Sequence, residues 1–440
     1  MSIGRFWFYV VTVCLAIAAT PLAADWTHYA GNPQRNSVGS EPAGIDLSAP
    51  GAIMTPTGGA LVGCASPMVY GGRVYAHGVR SSDGANAIYA FDAGTGAQLW
   101  AAPVGMDWWD SWASPAVDAA SGSVLLAAGN TMMAVDAVTG ANKWVSGPTF
   151  NNDVVNSSPL VIGGYAYVTD SGWSNSFQSY VYAVDMTDGS IAWSQPIGTQ
   201  TGTTVAASPD GSTVYVADTD DSFSGRIRGF NAVTGTPGLN QQVDTTGGGF
   251  WGGLTVTADA IYAQSYTFAN DTSAVLYKVN RTTGATIWSQ PCIRGDTMPV
   301  VADGKVFVSG GYDGNYVQAF LDDATGTPLW TYDQAGGWTQ QLLYADGLLY
   351  VGVGETGWSF DPASELQVLD TSLDPQMPGF LVDSYLNTGS SPALGSDLYT
   401  IGDAGIYRFG VLPEPGTAIL LGVGAGVLLL RRRRAQSRRG

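Results

Sequence analysis

Five tryptophans and four charged residues hold most of the chemistry that this 440-residue chain can offer. Trp108, Trp109 and Trp112 share one short stretch with Asp107 and Asp110. Trp251 follows a run of glycines, Arg294 and Asp296 flank Gly295, and Trp338 follows Gly336 and Gly337. Flat aromatic faces beside charged or polar groups suit a sugar, a cation or an aromatic ligand.

Catalytic schemes find little material elsewhere. His28 and His77 are the two histidines of the chain, too few for a His-centred metal site or a hydrolytic triad, and both read as structural. No Gly-x-Ser-x-Gly elbow and no phosphate-binding glycine loop occurs. Residues 218–222 (DTDDS) and 313–315 (DGN) gather oxygens that calcium could use, yet neither completes a loop signature, and solvated turns explain both. No catalytic residue and no metal ligand is assigned.

The residues that must position the tryptophans form a repeat. Residues 90–100 (AFDAGTGAQLW) return as 134–144 (AVDAVTGANKW), 183–193 (AVDMTDGSIAW), 278–288 (KVNRTTGATIW) and, with one insertion, 319–330 (AFLDDATGTPLW). Residues 229–239 keep the turn and lose the Trp, and the segment from Gln367 is the most decayed copy. Each copy follows a small polar residue, often a Pro, and a strand-turn-strand pattern, as in 66–75 (SPMVYGGRVY). Further starts lie near Ser114, Ser158, Ala206, Gly253, Met298, Gln341 and Ser391. A period of roughly 40–50 residues with four short strands per unit predicts propeller blades. In Asp-x-x-Thr-Gly the carboxylate of Asp92, Asp136 or Asp185 can bond backbone N–H groups while Gly takes positive φ. The closing Trp then packs on the next blade.

The fold expected is therefore all-β, an eight-bladed propeller of four-stranded antiparallel blades. The eighth unit ends at Phe409 without a Trp-bearing strand, so residues 51–57 should supply it and close the ring. In such a ring the connections between blades converge on one end of the central channel. That places Trp108, Trp109, Trp112, Trp251 and Trp338 around one funnel, with Asp107, Asp110, Arg294 and Asp296 at its rim. The competing reading has the same rings packed between blades or plugging the channel.

Both ends look like address labels. Residues 1–24 carry Arg5, an apolar run and a small-residue end, the pattern of a secretory signal peptide. Residues 412–440 hold Pro413, Glu414 and Pro415, an apolar stretch from 417 to 430 short of a comfortable transmembrane helix, then Arg431, Arg432, Arg433 and Arg434. The intervening body, 25–411, keeps 35 acidic against 11 basic residues, a net charge near −24. Such a surface disfavours nucleic acid and anionic membranes. Cys64 and Cys292 are the two body cysteines; an oxidising compartment would let them pair, but they fall in non-adjacent blades.

Two resemblances attach to these residues. The tail resembles the PEP-CTERM sorting signal of Gram-negative bacteria. That likeness implies export through the inner membrane, transient anchoring by the tail, processing by an exosortase-type enzyme and delivery to the outer surface or the medium. The repeat, together with 26–37 (WTHYAGNPQRNS), resembles the PQQ-like propeller family. Some of its members are quinoprotein dehydrogenases, and others are cofactor-free scaffolds, including an outer-membrane assembly lipoprotein. The dehydrogenase branch implies adjacent cysteines and a calcium or lanthanide held by Glu and Asn, with an Asp as base. Cys64 and Cys292 are far apart, and Glu41, Glu355 and Glu365 sit in no ligand pattern. The expectation is a non-catalytic binding or scaffold protein without cofactor. Polysaccharide is the ligand class that the sorting signal favours by analogy, and envelope proteins are the other candidate partners. A divergent PQQ- and calcium-dependent alcohol or sugar dehydrogenase, or an envelope-assembly partner, are the alternatives.

Overall fold

The computed structural model describes residues 25–39, 44–105, 111–172, 178–199, 203–220, 222–245, 247–357 and 359–410. Their strands form eight antiparallel sheets, an eight-bladed β-propeller without α-helix among these residues. Blades 1 to 7 span 59–105, 116–145, 160–196, 206–244, 255–292, 300–332 and 343–386. Blade 8 joins 388–410 to the strand Ala52–Met54. Closure is by the expected segment, with Ala52 opposite Arg408, Ile53 opposite Tyr407 and Met54 opposite Ile406. Blade 1 carries one strand more than expected, Gly59–Leu61 beside Arg73–Arg80.

The repeated motif is an interlock between neighbours. Asp136 Oδ1 accepts hydrogen bonds from Thr139 N (2.9 Å) and Thr139 Oγ1 (2.9 Å), which shapes the turn and sets Gly140 at φ +71°. A Cβ on that glycine would lie 2.6 Å from the Trp100 indole of blade 1, so the missing side chain makes room for the ring. The indole Nε1 in turn donates to Val138 O at 3.1 Å. The same pairing joins Trp144 to Gly189, Trp193 to Gly235 and Trp288 to Gly326. Their Nε1 groups donate to Met186, Ala232 and Asp323 carbonyls at 2.9, 2.9 and 3.1 Å. Where the Trp is lost, Leu239 takes its place against Gly284.

The small polar residue that opens a unit also links blades. Ser66 N donates to Ser114 Oγ (2.8 Å), Ser114 N to Ser158 Oγ (2.8 Å), and Ser158 N to Thr204 Oγ1 (3.4 Å). Met298 N donates to Gln341 Oε1, Gln341 N to Ser391 Oγ, and Ser391 Oγ to Cys64 O. This partial girdle lets each inner strand hand an otherwise unpaired N–H to its neighbour.

Inside the girdle, the segment 26–39 binds the inner strands of six blades. Trp26 pairs with Val69; Val117 N donates to Thr27 O, Val161 N to His28 Nε2, Ala207 N to Pro33 O and Val256 N to Gln34 O. Tyr344 N donates to Ser37 O. Arg35, fully buried, is the hub: it donates to the carbonyls of Val205, Tyr29, Ser158 and Pro159 at 2.8–3.1 Å. Burial lowers its pKa to about 9. Burial, then the charge of Arg35, lowers the pKa of His28 to about 3, so His28 is a neutral acceptor for Val161. His77 bonds Ala113 O and Asn86 Oδ1 at 2.8 Å each, a structural role as well.

Candidate ligand face at the interblade connections

Connections between blades leave on the side opposite the Asp-x-x-Thr-Gly turns, and the middle loop of each blade opens on that same side. Of the residues singled out by sequence, Asp107, Trp108, Trp109 and Asp110 lie outside the described residues. The sorting residues Pro413, Glu414, Pro415 and Arg431 to Arg434 do too. Among the described residues no helix is long and apolar enough to cross a membrane.

Trp112 and Trp338 meet. Trp112 precedes blade 2 and Trp338 precedes blade 7, so blades 7, 8 and 1 lie between them along the shorter arc. Their rings nevertheless stand 5.4 Å apart, edge to face. Phe360, from the middle loop of blade 7, stacks on Trp112 at 5.1 Å and 25°, and sits 5.9 Å from Trp338. Tyr312 adds an edge contact to Trp338 at 6.1 Å. Trp338 is 2% exposed and Trp112 half-buried. Trp251 belongs to a second group, 5.8 Å from Tyr266 and 5.4 Å from Phe268.

Arg294 ties the two groups together. Its guanidinium lies 4.6 Å over the Tyr312 ring and 5.5 Å from the Tyr266 ring. Nε donates to Asp271 Oδ1 at 2.8 Å and Nη1 to Thr267 O at 3.0 Å, while Asp313 stands 3.7 Å away. Asp271 also accepts the backbone N–H groups of Tyr312 and Asp313. A buried guanidinium paired with a carboxylate and flanked by two aromatic rings is held rigidly.

Asp296 is placed differently. Its backbone N–H donates to Trp338 O at 2.7 Å, and Gly252 is so close that a Cβ there would lie 2.6 Å from the Asp296 carbonyl carbon. Asp296 thus joins the Trp338 connection to the one bearing Trp251. Its Oδ1 is enclosed and has no hydrogen-bond partner among the described residues. Burial raises its pKa to about 8, with the charge of Arg294 opposing. The structure therefore brings Trp112, Trp251, Trp338, Arg294 and Asp296 to one face, the indoles in two groups rather than around one open bowl.

Sequence reasoning passed over Phe360, Tyr312, Tyr266 and Asp271. All stand on middle loops, which share the face because strands alternate direction. No motif marks these residues; 313–315 (DGN), noted for its oxygens, lies in the same middle loop as Tyr312 and brings Asp313 beside Arg294. Cys64 and Cys292 are free, buried thiols in the blade 1 and blade 5 regions. Among the described residues no three His, Cys, Asp or Glu side chains converge as metal ligands do.

The family described as outer membrane protein assembly factor BamB matches residues 84–250, 177–289 and 224–371. A tetrathionate hydrolase of Acidithiobacillus ferrooxidans is 28% identical over 240 residues, 46% of this chain and 45% of that protein, so the match spans less than half of the relative's length. Among solved structures, a europium-containing methanol dehydrogenase is similar with a TM-score of 0.65 and 13% identity, covering 88% of this chain and 90% of that one. BamB from Moraxella catarrhalis gives a TM-score of 0.56 at 17% identity, covering 82% and 98%. At these identities the structures speak for the fold, shared by dehydrogenases and an assembly factor alike. The matched family segments run across well over half of the chain, which belongs to this family of PQQ-like propellers.

Proposed function

We propose that this family member is an exported, surface-sorted binding or scaffold propeller, non-catalytic, that holds polysaccharide against the aromatic face. One observation carries the reading: Trp112, Phe360 and Trp338 gather into a single aromatic group although three blades separate the connections that supply two of them. Aromatic rings beside a fixed Arg294–Asp271 pair provide both stacking and hydrogen-bonding partners for sugar rings. The signal-like start and the Pro413 to Arg434 pattern support export, processing by an exosortase-type enzyme and release to the outer surface.

The adjacent cysteine pair that the dehydrogenase resemblance implies does not occur in this chain, which supports the non-catalytic reading. The two body cysteines are free thiols in the blade 1 and blade 5 regions, and Arg294 faces both Asp271 and Asp313. A catalytic reading of another kind is favoured by one observation, the raised pKa of Asp296, since such carboxyls serve as proton donors or acceptors in active sites. Titrating cellotetraose and isomaltotetraose into the protein while following tryptophan fluorescence tests the binding reading; saturable quenching is expected. Dye reduction after adding PQQ and calcium, or turnover of tetrathionate, would replace it with an enzymatic one. Co-purification of envelope proteins in place of glycan binding would favour the assembly role.

A further inference from the structure

Beneath the aromatic group, four buried oxygens lack hydrogen-bond donors among the described residues: Asp296 Oδ1, Gln264 Oε1, Asn315 Oδ1 and Gln340 Oε1. Two of the amides are oriented by their own partners. Gln264 Nε2 donates to Ile293 O (2.8 Å) and Ser309 O (3.1 Å), and Asn315 Nδ2 donates to Gly354 O (3.0 Å). With the nitrogens committed to carbonyls, flipping either amide would set oxygen against oxygen, so each Oε1 or Oδ1 is fixed as a free acceptor.

These groups share neighbours around the inner end of blade 6. The Gln264 side chain borders Gly295, next to Asp296, and the Gln340 side chain borders Gly354, whose carbonyl takes the Asn315 amide. Ser309 stands between the two pairs: its carbonyl accepts from Gln264, and its hydroxyl exchanges hydrogen bonds with Gly337, three residues before Gln340. Gln264 and Gln340 are each 2% exposed. Buried acceptors without donors are rare in folded proteins and call for bound water or for a ligand that brings donors in its place.

We propose that this cluster is a subsite for an uncharged sugar ring, whose hydroxyls donate to the oxygens of Asp296, Gln264, Asn315 and Gln340. The proposal rests on the glycan-binding reading above and locates its deepest contact. Geometry separates the ligand classes. An anion would face the acceptor oxygens of Gln264, Asn315 and Gln340. A metal ion would stand beside the Arg294 guanidinium with a single carboxylate to offset its charge. A neutral polyol meets neither obstacle, and the Trp338 connection bonded to the Asp296 backbone brings an aromatic ring to the same place. The carboxyl of Asp296 is predominantly uncharged below about pH 8, in keeping with a neutral partner. Among the described residues ring contacts hold the Trp112 and Phe360 side chains, and entry requires these two to part.

The test uses the full chain with cellotetraose and isomaltotetraose, and with calcium chloride and sodium sulfate as comparison ligands, read by tryptophan fluorescence and calorimetry. We expect one or both oligosaccharides to saturate and the two salts to give no competing response. Asp296→Ala should weaken sugar binding about 10-fold, while Asp296→Asn, which keeps a carbonyl acceptor and no charge, should stay within about 3-fold. Trp112→Ala reports on the aromatic face alone. If Trp112→Ala weakens binding and Asp296→Ala does not, the subsite is overturned and the glycan-binding face stands. If neither oligosaccharide binds, both fall. If calcium or sulfate displaces bound sugar, the uncharged-ligand assignment is overturned.

Discussion

The interlock between blades makes a sharp prediction at Trp144 and Gly189. Trp144 is 7% exposed, and its Nε1 donates to Met186 O at 2.9 Å. Replacing it with Ala removes a buried indole and strands a carbonyl, a loss of about 4 kcal/mol. Gly189 has φ +80°, and a Cβ there would lie 2.8 Å from Trp144 Cε3. Gly189→Ala therefore costs about 1–2 kcal/mol for the left-handed backbone and about 1–3 kcal/mol for displacing the indole. In the double variant the indole is gone and only the backbone cost remains. The combined loss should then be about 5–6 kcal/mol, against about 6–9 kcal/mol if the two effects simply added, a coupling of about 1–3 kcal/mol. For a body of this size the unfolding entropy is on the order of 0.8 kcal/mol/K, so Trp144→Ala alone should lower Tm by about 5 °C. Thermal unfolding of the four proteins, followed by circular dichroism, measures the cycle. Strict additivity would refute the claim that this glycine is small in order to admit its neighbour's indole.

Asp296 should destabilise the fold as pH rises. Its folded pKa is raised to about 8, so the folded state holds the proton more tightly than the unfolded chain, and stability falls between about pH 4 and pH 8. Asp296→Asn should thus match wild type near pH 4 and exceed it by about 3 kcal/mol at pH 8.5. That is half of the full linkage, because part of the residue meets solvent; parallel Tm curves would contradict it. Arg35→Met should cost about 3–5 kcal/mol by stranding four buried carbonyls, and Arg35→Lys should not rescue it, because an ammonium lacks the planar fork; a wild-type Tm for either variant would dismiss the hub. The body charge near −24 should weaken binding of anionic glycans such as alginate oligomers at 20 mM salt relative to 300 mM, the reverse of an ion-paired complex, as titration at the two strengths would reveal.

What could be read from sequence was what is written locally. The turn of Asp136, Thr139 and Gly140 is complete within five residues, and its recurrence, with Trp100, Trp144, Trp193 and Trp288 at a fixed distance, counts the blades. Closure by Ile53 and Tyr407 was legible because the last unit lacks a strand. The opening serines were visible as a pattern, but their role was not, since Ser66 finds Ser114 a full blade away. Likewise residues 26–37 read as a family opening, while the role of this segment as the filling of the ring depends on partners such as Ser158 and Val205, more than 120 residues distant from Arg35. The same holds for Phe360: a lone aromatic in an unmarked loop carries no signal until Trp112 arrives beside it.

The two fillings of the ring bear on how any ligand is met. On one side, residues 26–39 bond the inner strands of six blades and bury Arg35 and His28, so this segment is part of the core. On the other, Trp112, Phe360 and Trp338 cover the interior and leave Phe268, 53% exposed, near the rim beside Trp251. A polymer would therefore lie across the face and present one ring inward, rather than thread the ring. The rigid parts of that face, Arg294 with Asp271 and the Asp296 backbone with Trp338, come from connections fixed by the girdle and the interlocks. Trp112 and Phe360 are held by stacking. Rigid acceptors below and rings that can part above are the division of labour that recognition of a sugar within a chain requires: the fold fixes the hydrogen-bond geometry, and the aromatic cover adapts to whatever flanks it.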